Sequence, residues 1–170
     1  MLNISYIRDV VARLQELQKL AEGAIAQIEN EQLLQTWDEE TNSMAITMKH
    51  MAGNMRSRWK DFLTSDGEKP DRNRDSEFVV EAADNRETLL ERWQEGWNYL
   101  FEAVDSLSAE DLNRTVFIRK EPHTVYQAIN RQLIHYGYHV GQIVFMAKHM
   151  AADRWKSLSV PRGGSQTFNK

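Results

Sequence analysis

The run from Val125 to Met150 constrains this chain most. It contains no proline, and its apolar residues recur in steps of three and four, the period of an amphipathic helix. Inside it, His135-Tyr-Gly-Tyr-His139 sets two imidazoles four residues apart. On a helix such residues differ by about 40° in direction and about 6 Å in height. Both rings therefore leave one face, one turn apart, and can share a metal ion. Two histidines merely packed on a helix face have the same spacing, so the pair acquires meaning only with a third ligand from elsewhere.

The rest of the chain supplies more helices. Between Ile4 and Ile28 the apolar positions Ile7, Val11, Leu14, Leu17, Ala21, Ile25 and Ile28 again step by three and four, with Gly23 loosening the last turns. Asn30 to Glu40 is polar and acidic and reads as a connection. A second helix, capped by Thr41 or Asn42, runs to about Phe62. It carries two stripes. Met44, Met48, Met51 and Met55 form an apolar ridge, and Ser43, Thr47, His50, Asn54 and Ser57 form a polar row beside it. An ordinary solvated face favours Lys and Glu, whereas this row is small, uncharged and hydrogen-bonding. It suits the wall of a wet pocket, with a solvated face beside a methionine core as the alternative.

Asp61 to Asp75 is a charged segment with Gly67 and Pro70, read as a loop closing over a helix end. Asp71, Asn73 and Asp75 have the first spacings of a calcium loop. The glycine that should follow is Ser76 and the bidentate glutamate is Ala82, so calcium is rejected. Asp84-Asn-Arg-Glu87 resembles a capping box opening a third helix, whose wide apolar face includes Trp93 and Trp97 as core or ligand-site residues. Ser108-Ala-Glu-Asp111 starts a short turn, Thr115-Val-Phe-Ile118 is β-like but too short to build a sheet, and Pro122 marks the approach to the fourth long helix. The stretch from about 151 to 170 is a tail on the surface or on a neighbouring subunit. Four long amphipathic helices in one domain, residues 1–170, predict an all-α four-helix bundle.

Composition removes several functions. At 41% hydrophobic and 27% charged, 170 residues suit one domain with its own core. The net charge of −4 comes from interleaved acids and bases, without the basic face that nucleic acid requires. With no cysteine there is no disulfide, thiolate site or cysteine nucleophile, although a thiol supplied from outside stays available. Arg8, Asp9 and Arg13 interrupt what would be the apolar segment of a signal peptide, and no apolar run approaches the ~20 residues of a membrane span. The expectation is a soluble cytoplasmic protein.

Bundles build sites from facing helices. His50 on the polar row and His135 with His139 on the fourth helix are the candidate metal ligands. Three neutral imidazoles leave a coordination position open, the pattern of a catalytic rather than a structural site. Zinc or nickel suits these ligands, and iron or copper can also bind. A zincin would need Glu where Tyr136 stands, and no histidine follows a Glu by three as a di-iron bundle requires. Noncovalent haem on His and Met remains compatible; His123 and His149 are read as non-ligands. A bound cation lowers the pKa of a water or thiol on it. Asn54 and Gln142 are pocket candidates, able to orient that ligand, to fix an imidazole tautomer, or to serve as plain polar residues.

Lys49-His50-Met-Ala-Gly-Asn54, Ser57-Arg-Trp59, the segment Asp61 to Pro70, Arg131 to Gln142 and Pro161-Arg-Gly-Gly-Ser together resemble the DinB-like (DinB/YfiT) superfamily, within one of its uncharacterised subfamilies. The resemblance spans nearly the whole chain. It implies an antiparallel bundle, commonly a homodimer, with a metal held by His50, His135 and His139. It also implies a transferase or isomerase using a low-molecular-weight thiol such as bacillithiol, mycothiol or glutathione. The leading expectation is a metal-dependent thiol S-transferase of stress or detoxification, acting on a small-molecule electrophile that enters near Trp59. A non-catalytic metal-binding or dimeric interaction protein and a metal-dependent hydrolase are the alternatives. Binding to nucleic acid or membrane is not expected.

Overall fold

Four long helices carry the structure: α1 (Leu2–Ile25), α3 (Met44–Trp59), α4 (Arg86–Asp105) and α5 (Val125–Ala151). The computed structural model describes residues 2–168. A short α2 (Asn30–Leu34) occupies the stretch expected to be a plain connection, and its Leu33 is fully buried. The bundle is all-α, as the periodicity predicts, with α3 packed on α4, α1 on α5, and α1–α4 and α3–α5 closing the ring. Its interior is built from apolar stripes of all four, including Leu14, Met48, Met51, Trp93, Trp97 and Val140.

Cross-helix bonds give the directions. Tyr6 bonds to Asn130 and Gln27 to Lys156 O, so α1 and α5 run the same way. Arg86 reaches Ile25 O while Gln18 meets Gln94, so α4 opposes α1. Trp59 bonds to Tyr136 and His50 meets His139, so α3 opposes α5. Two helices thus run each way, and the sequential pair α3 and α4 is parallel. The chain must therefore travel back along the bundle between them.

Residues 60–85 make that return, which corrects the reading of this segment as a loop over a helix end. As the numbers rise along it, its partners on α3 fall. Glu68 pairs with Arg58, Asp71 with Arg56, Glu77 with His50, and Val79 O with Lys49. This crossover covers the polar row of α3. Ser43, Thr47, His50, Asn54 and Ser57 are all at most 6% exposed, and 14 of the 16 residues of α3 are buried. The row is therefore not a solvated face. Most of it is satisfied internally: Thr47 Oγ1 donates to Ser43 O, and Ser57 Oγ donates to Gly67 O.

Three local expectations are corrected. Ser43, not Thr41 or Asn42, caps α3, its Oγ accepting from Ile46 N at 3.2 Å. Asn85 and Thr88 form the capping box of α4, while Asp84 turns inward to accept from Lys49 Nζ at 2.7 Å. Thr115–Ile118 is strand β1 of a real hairpin, paired antiparallel with β2 (Glu121–Thr124), so Pro122 lies in a strand. The tail begins on the chain's own surface, with Gln27 bonded to both the N and O of Lys156.

Candidate metal centre

Helix α3 presents His50 and helix α5 presents His135 and His139, and their ligand atoms all lie within 4.8 Å of one another. His135 Nε2 is 3.3 Å from His50 Nε2 and 3.1 Å from His139 Nε2. A tetrahedral ion with bonds of about 2.0–2.1 Å holds neighbouring nitrogens about 3.3 Å apart. The spacing fits an ion among three Nε2 atoms.

Tautomers follow from the far side of each ring. His50 Nδ1 faces Glu77 Oε2 at 3.0 Å, and His139 Nδ1 faces Gln142 Oε1 at 2.8 Å. Both oxygens accept, so both Nδ1 atoms carry hydrogen and both Nε2 atoms offer lone pairs to the centre. His135 Nε2 has at most one hydrogen to offer these two lone pairs, whereas a cation among the three rings takes a lone pair from each. Burial, with His139, His50, Arg58 and Arg72 adding repulsion, pushes His135 down to about 3. Burial also lowers His139, against the bond it donates to Gln142. A proton is thus a poor tenant of the two α5 rings, and neutral rings are the donors that a divalent ion requires. His135 Nδ1 is buried without a partner among the described residues.

Glu77 is the residue that sequence reasoning missed. It lies on a short 3-10 turn of the crossover, Asp75–Phe78. Besides His50 it accepts from Arg72 Nε at 2.7 Å and Arg72 Nη2 at 2.9 Å. Burial would raise its pKa, but the bonds from His50 and Arg72 prevail and hold it below the usual range. The space it fills exists because position 53, three residues after His50, is glycine: a Cβ there would come within 2.7 Å of Glu77 Cδ. A crossover longer than 12–15 residues with little secondary structure is a signal of function, and that signal was present in the sequence.

The remaining pocket candidates part company. Gln142 touches the centre through His139. Asn54 lines the cleft and accepts from Tyr136 Oη at 3.1 Å. Trp59 is 2% exposed, packs at a tilt against Phe62 and donates from Nε1 to Tyr136 Oη at 2.9 Å. It stands in the core behind the centre rather than on the cleft wall. His123 and His149 lie outside the cluster; His149 packs its ring edge-on to Trp37.

In front of the histidines opens a cleft of about 650 Å³, lined by His50, His135, Asn54, Tyr138, Ile134 and Gln132 together with five arginines: Arg58, Arg72, Arg74, Arg119 and Arg131. Its lining contains no carboxylate. The chain thus has a four-helix bundle whose facing helices carry a three-histidine cluster able to hold a metal ion. It belongs to the family described as protein of unknown function (DUF1572), which it matches over residues 2–164 and which lies in the DinB-like clan. No curated protein and no solved structure matches it. Among the described residues no helix is long and apolar enough to cross a membrane.

Proposed function

We propose that the protein is a metal-dependent thiol S-transferase of stress or detoxification, joining a low-molecular-weight thiol to an electrophile in the cytoplasm. The observation that carries this reading is the convergence of the ligand nitrogens of His50, His135 and His139, with His50 and His135 lining an open cleft. Zinc or nickel, held by His50, His135 and His139, would supply the positive charge that keeps a thiol deprotonated near neutral pH. Glu77 and Gln142 hold the two imidazole tautomers that make this possible. Asn54 is kept in place by Tyr136 and offers its amide to a ligand beside the histidines.

The lining of the cleft favours transfer to a thiolate over hydrolysis. A metal hydrolase places a carboxylate where it can take a proton from water, as the glutamate of H-E-x-x-H does. Here the nearest carboxylate, Glu77, is committed to His50 and Arg72. A thiolate needs no such base. The reading includes a homodimer, which a light-scattering mass would report.

Cobalt substitution tests the reading. Adding bacillithiol, mycothiol, glutathione or coenzyme A to the cobalt protein should raise a sulfur-to-metal charge-transfer band, which decays as monobromobimane is turned over. His135→Ala and His139→Ala should lose stoichiometric metal and the band together. Metal retained with no band and no turnover for any of the four thiols refutes the transferase.

A further inference from the structure

The cleft is far more cationic than the chain that forms it. The chain carries 21 basic and 25 acidic residues, yet five of the residues lining the cleft are arginines and none is acidic. These arginines come from α3, the crossover, the hairpin turn and α5, so only the fold collects them. Glu68 and Glu77 are the carboxylates paired to them, which leaves an excess of three positive charges before any ion is added.

The five divide by burial. Arg58 and Arg72 have side chains 5% and 4% exposed and are held by Glu68 and Glu77. They are framework. Arg119 stands at the rim, half exposed, sharing Glu68 with Arg58 at 3.1 Å. Arg74 and Arg131 are exposed and have no acidic partner among the described residues. Arg74 is held at the edge by the ring of Phe78, 5.9 Å from its guanidinium. A guanidinium presents a planar fork that matches a carboxylate or phosphate, and like charges gathered in a concave, low-dielectric cleft draw anions to it.

We infer that the small molecule entering this cleft carries an oxyanion, a carboxylate or a phosphate, received by Arg74, Arg119 and Arg131. Its reactive end points to the histidines. The volume suits a small ligand rather than a macromolecule. Ile134 and Tyr138, 76% and 62% exposed, give the same cleft an apolar flank for the body of the ligand. This assignment rests on the cleft being the entrance to the metal centre, but not on what the ion carries.

Calorimetric titration of the zinc-loaded protein with succinate, methylphosphonate and the neutral succinamide tests it without any thiol. An oxyanion should bind at least about tenfold tighter than succinamide, given the strength of charge-assisted bonds, and should weaken as salt is raised. The stronger of succinate and methylphosphonate distinguishes carboxylate from phosphate. In the double variant Arg74→Ala/Arg131→Ala the preference should fall about tenfold or more while stoichiometric zinc is retained. Equal binding of anions and succinamide, no binding of any, or an undiminished preference in the double variant overturns the inference. A thiol band without anion preference fails this inference alone; anion preference without a thiol band fails the transferase alone.

Discussion

Replacing Glu77 by Gln changes one oxygen to an amide nitrogen and leaves the volume nearly constant. The wild-type carboxylate accepts from three donors at once, His50 Nδ1, Arg72 Nε and Arg72 Nη2. An amide has one accepting oxygen and one donating NH₂. If the oxygen stays on Arg72, the NH₂ faces His50 Nδ1, which must then accept; the ring hydrogen moves to Nε2 and the lone pair aimed at the metal is lost. If the oxygen turns to His50, the NH₂ opposes a guanidinium whose side chain is 4% exposed. Loss of such an orienting partner costs 10- to 100-fold in metal affinity, about 1.4–2.7 kcal/mol. Breaking a buried ion pair costs about 3–5 kcal/mol, moderated here because Arg72 keeps Glu68 at 3.4 Å. About 2–3 kcal/mol in a chain of this size lowers the melting temperature by roughly 5–10 °C. Competition against a chelator measures the affinity, and calorimetric melting of the metal-free proteins measures the stability. A Kd within threefold of wild type and an unchanged melt would refute the assignment of Glu77 as keeper of the His50 tautomer.

Gly53→Ala probes the same contact from the helix. Alanine within a helix ordinarily gains about 1 kcal/mol over glycine, so weakened metal binding with lowered stability shows that Glu77 is displaced, and a stabilised variant with normal affinity shows that it is not. Acidification should destabilise the metal-free protein. His135 drops from 6.5 to about 3 on folding, and His139 is lowered too, so the unfolded chain binds more protons and stability falls as pH drops from about 6.5 toward 3. A metal-free melting temperature that rises on acidification contradicts this. Removing the metal should leave the helical circular dichroism intact, because the bundle has a full core of its own, while lowering the melting temperature by about the linkage energy, ~2.7 kcal/mol at 100 Kd of free metal; collapse of the helical signal would make the ion structural.

What could be read from the residues was what repeats. The helices are periodic, and His50, His135 and His139 sit within them, so their common face followed from spacing. The burial of Trp59 was also readable, since it continues the ridge of Met44, Met48, Met51 and Met55 by one more step of four and belongs with the core. The hairpin was hidden for a physical reason. Its turn residues Arg119 and Lys120 have φ of 55° and 65° without the Gly or Asn that announces such a turn. The conformation is held from outside, by Asp66 accepting from the N–H groups of both residues. Glu77 and the arginines were hidden likewise. They come together only because α3 and α4 are parallel, which sends the crossover down the side of α3, and no local pattern encodes that.

The crossover ties the mouth of the cleft to the histidine cluster. It rests on α3 through side-chain bonds and ion pairs rather than a ladder of backbone bonds, so its opening draws on the low end of the stability range. One of those bonds ends on the imidazole of His50, in the cluster able to hold an ion. Capture of an ion there and fastening of the crossover would therefore be reciprocally coupled, each raising the probability of the other. Arg72 and Arg74 ride on that segment and line the cleft, Arg74 at its edge. An ion held by the three histidines would thus fasten the doorway of an already folded bundle, and without one the helices would stand with a slacker mouth.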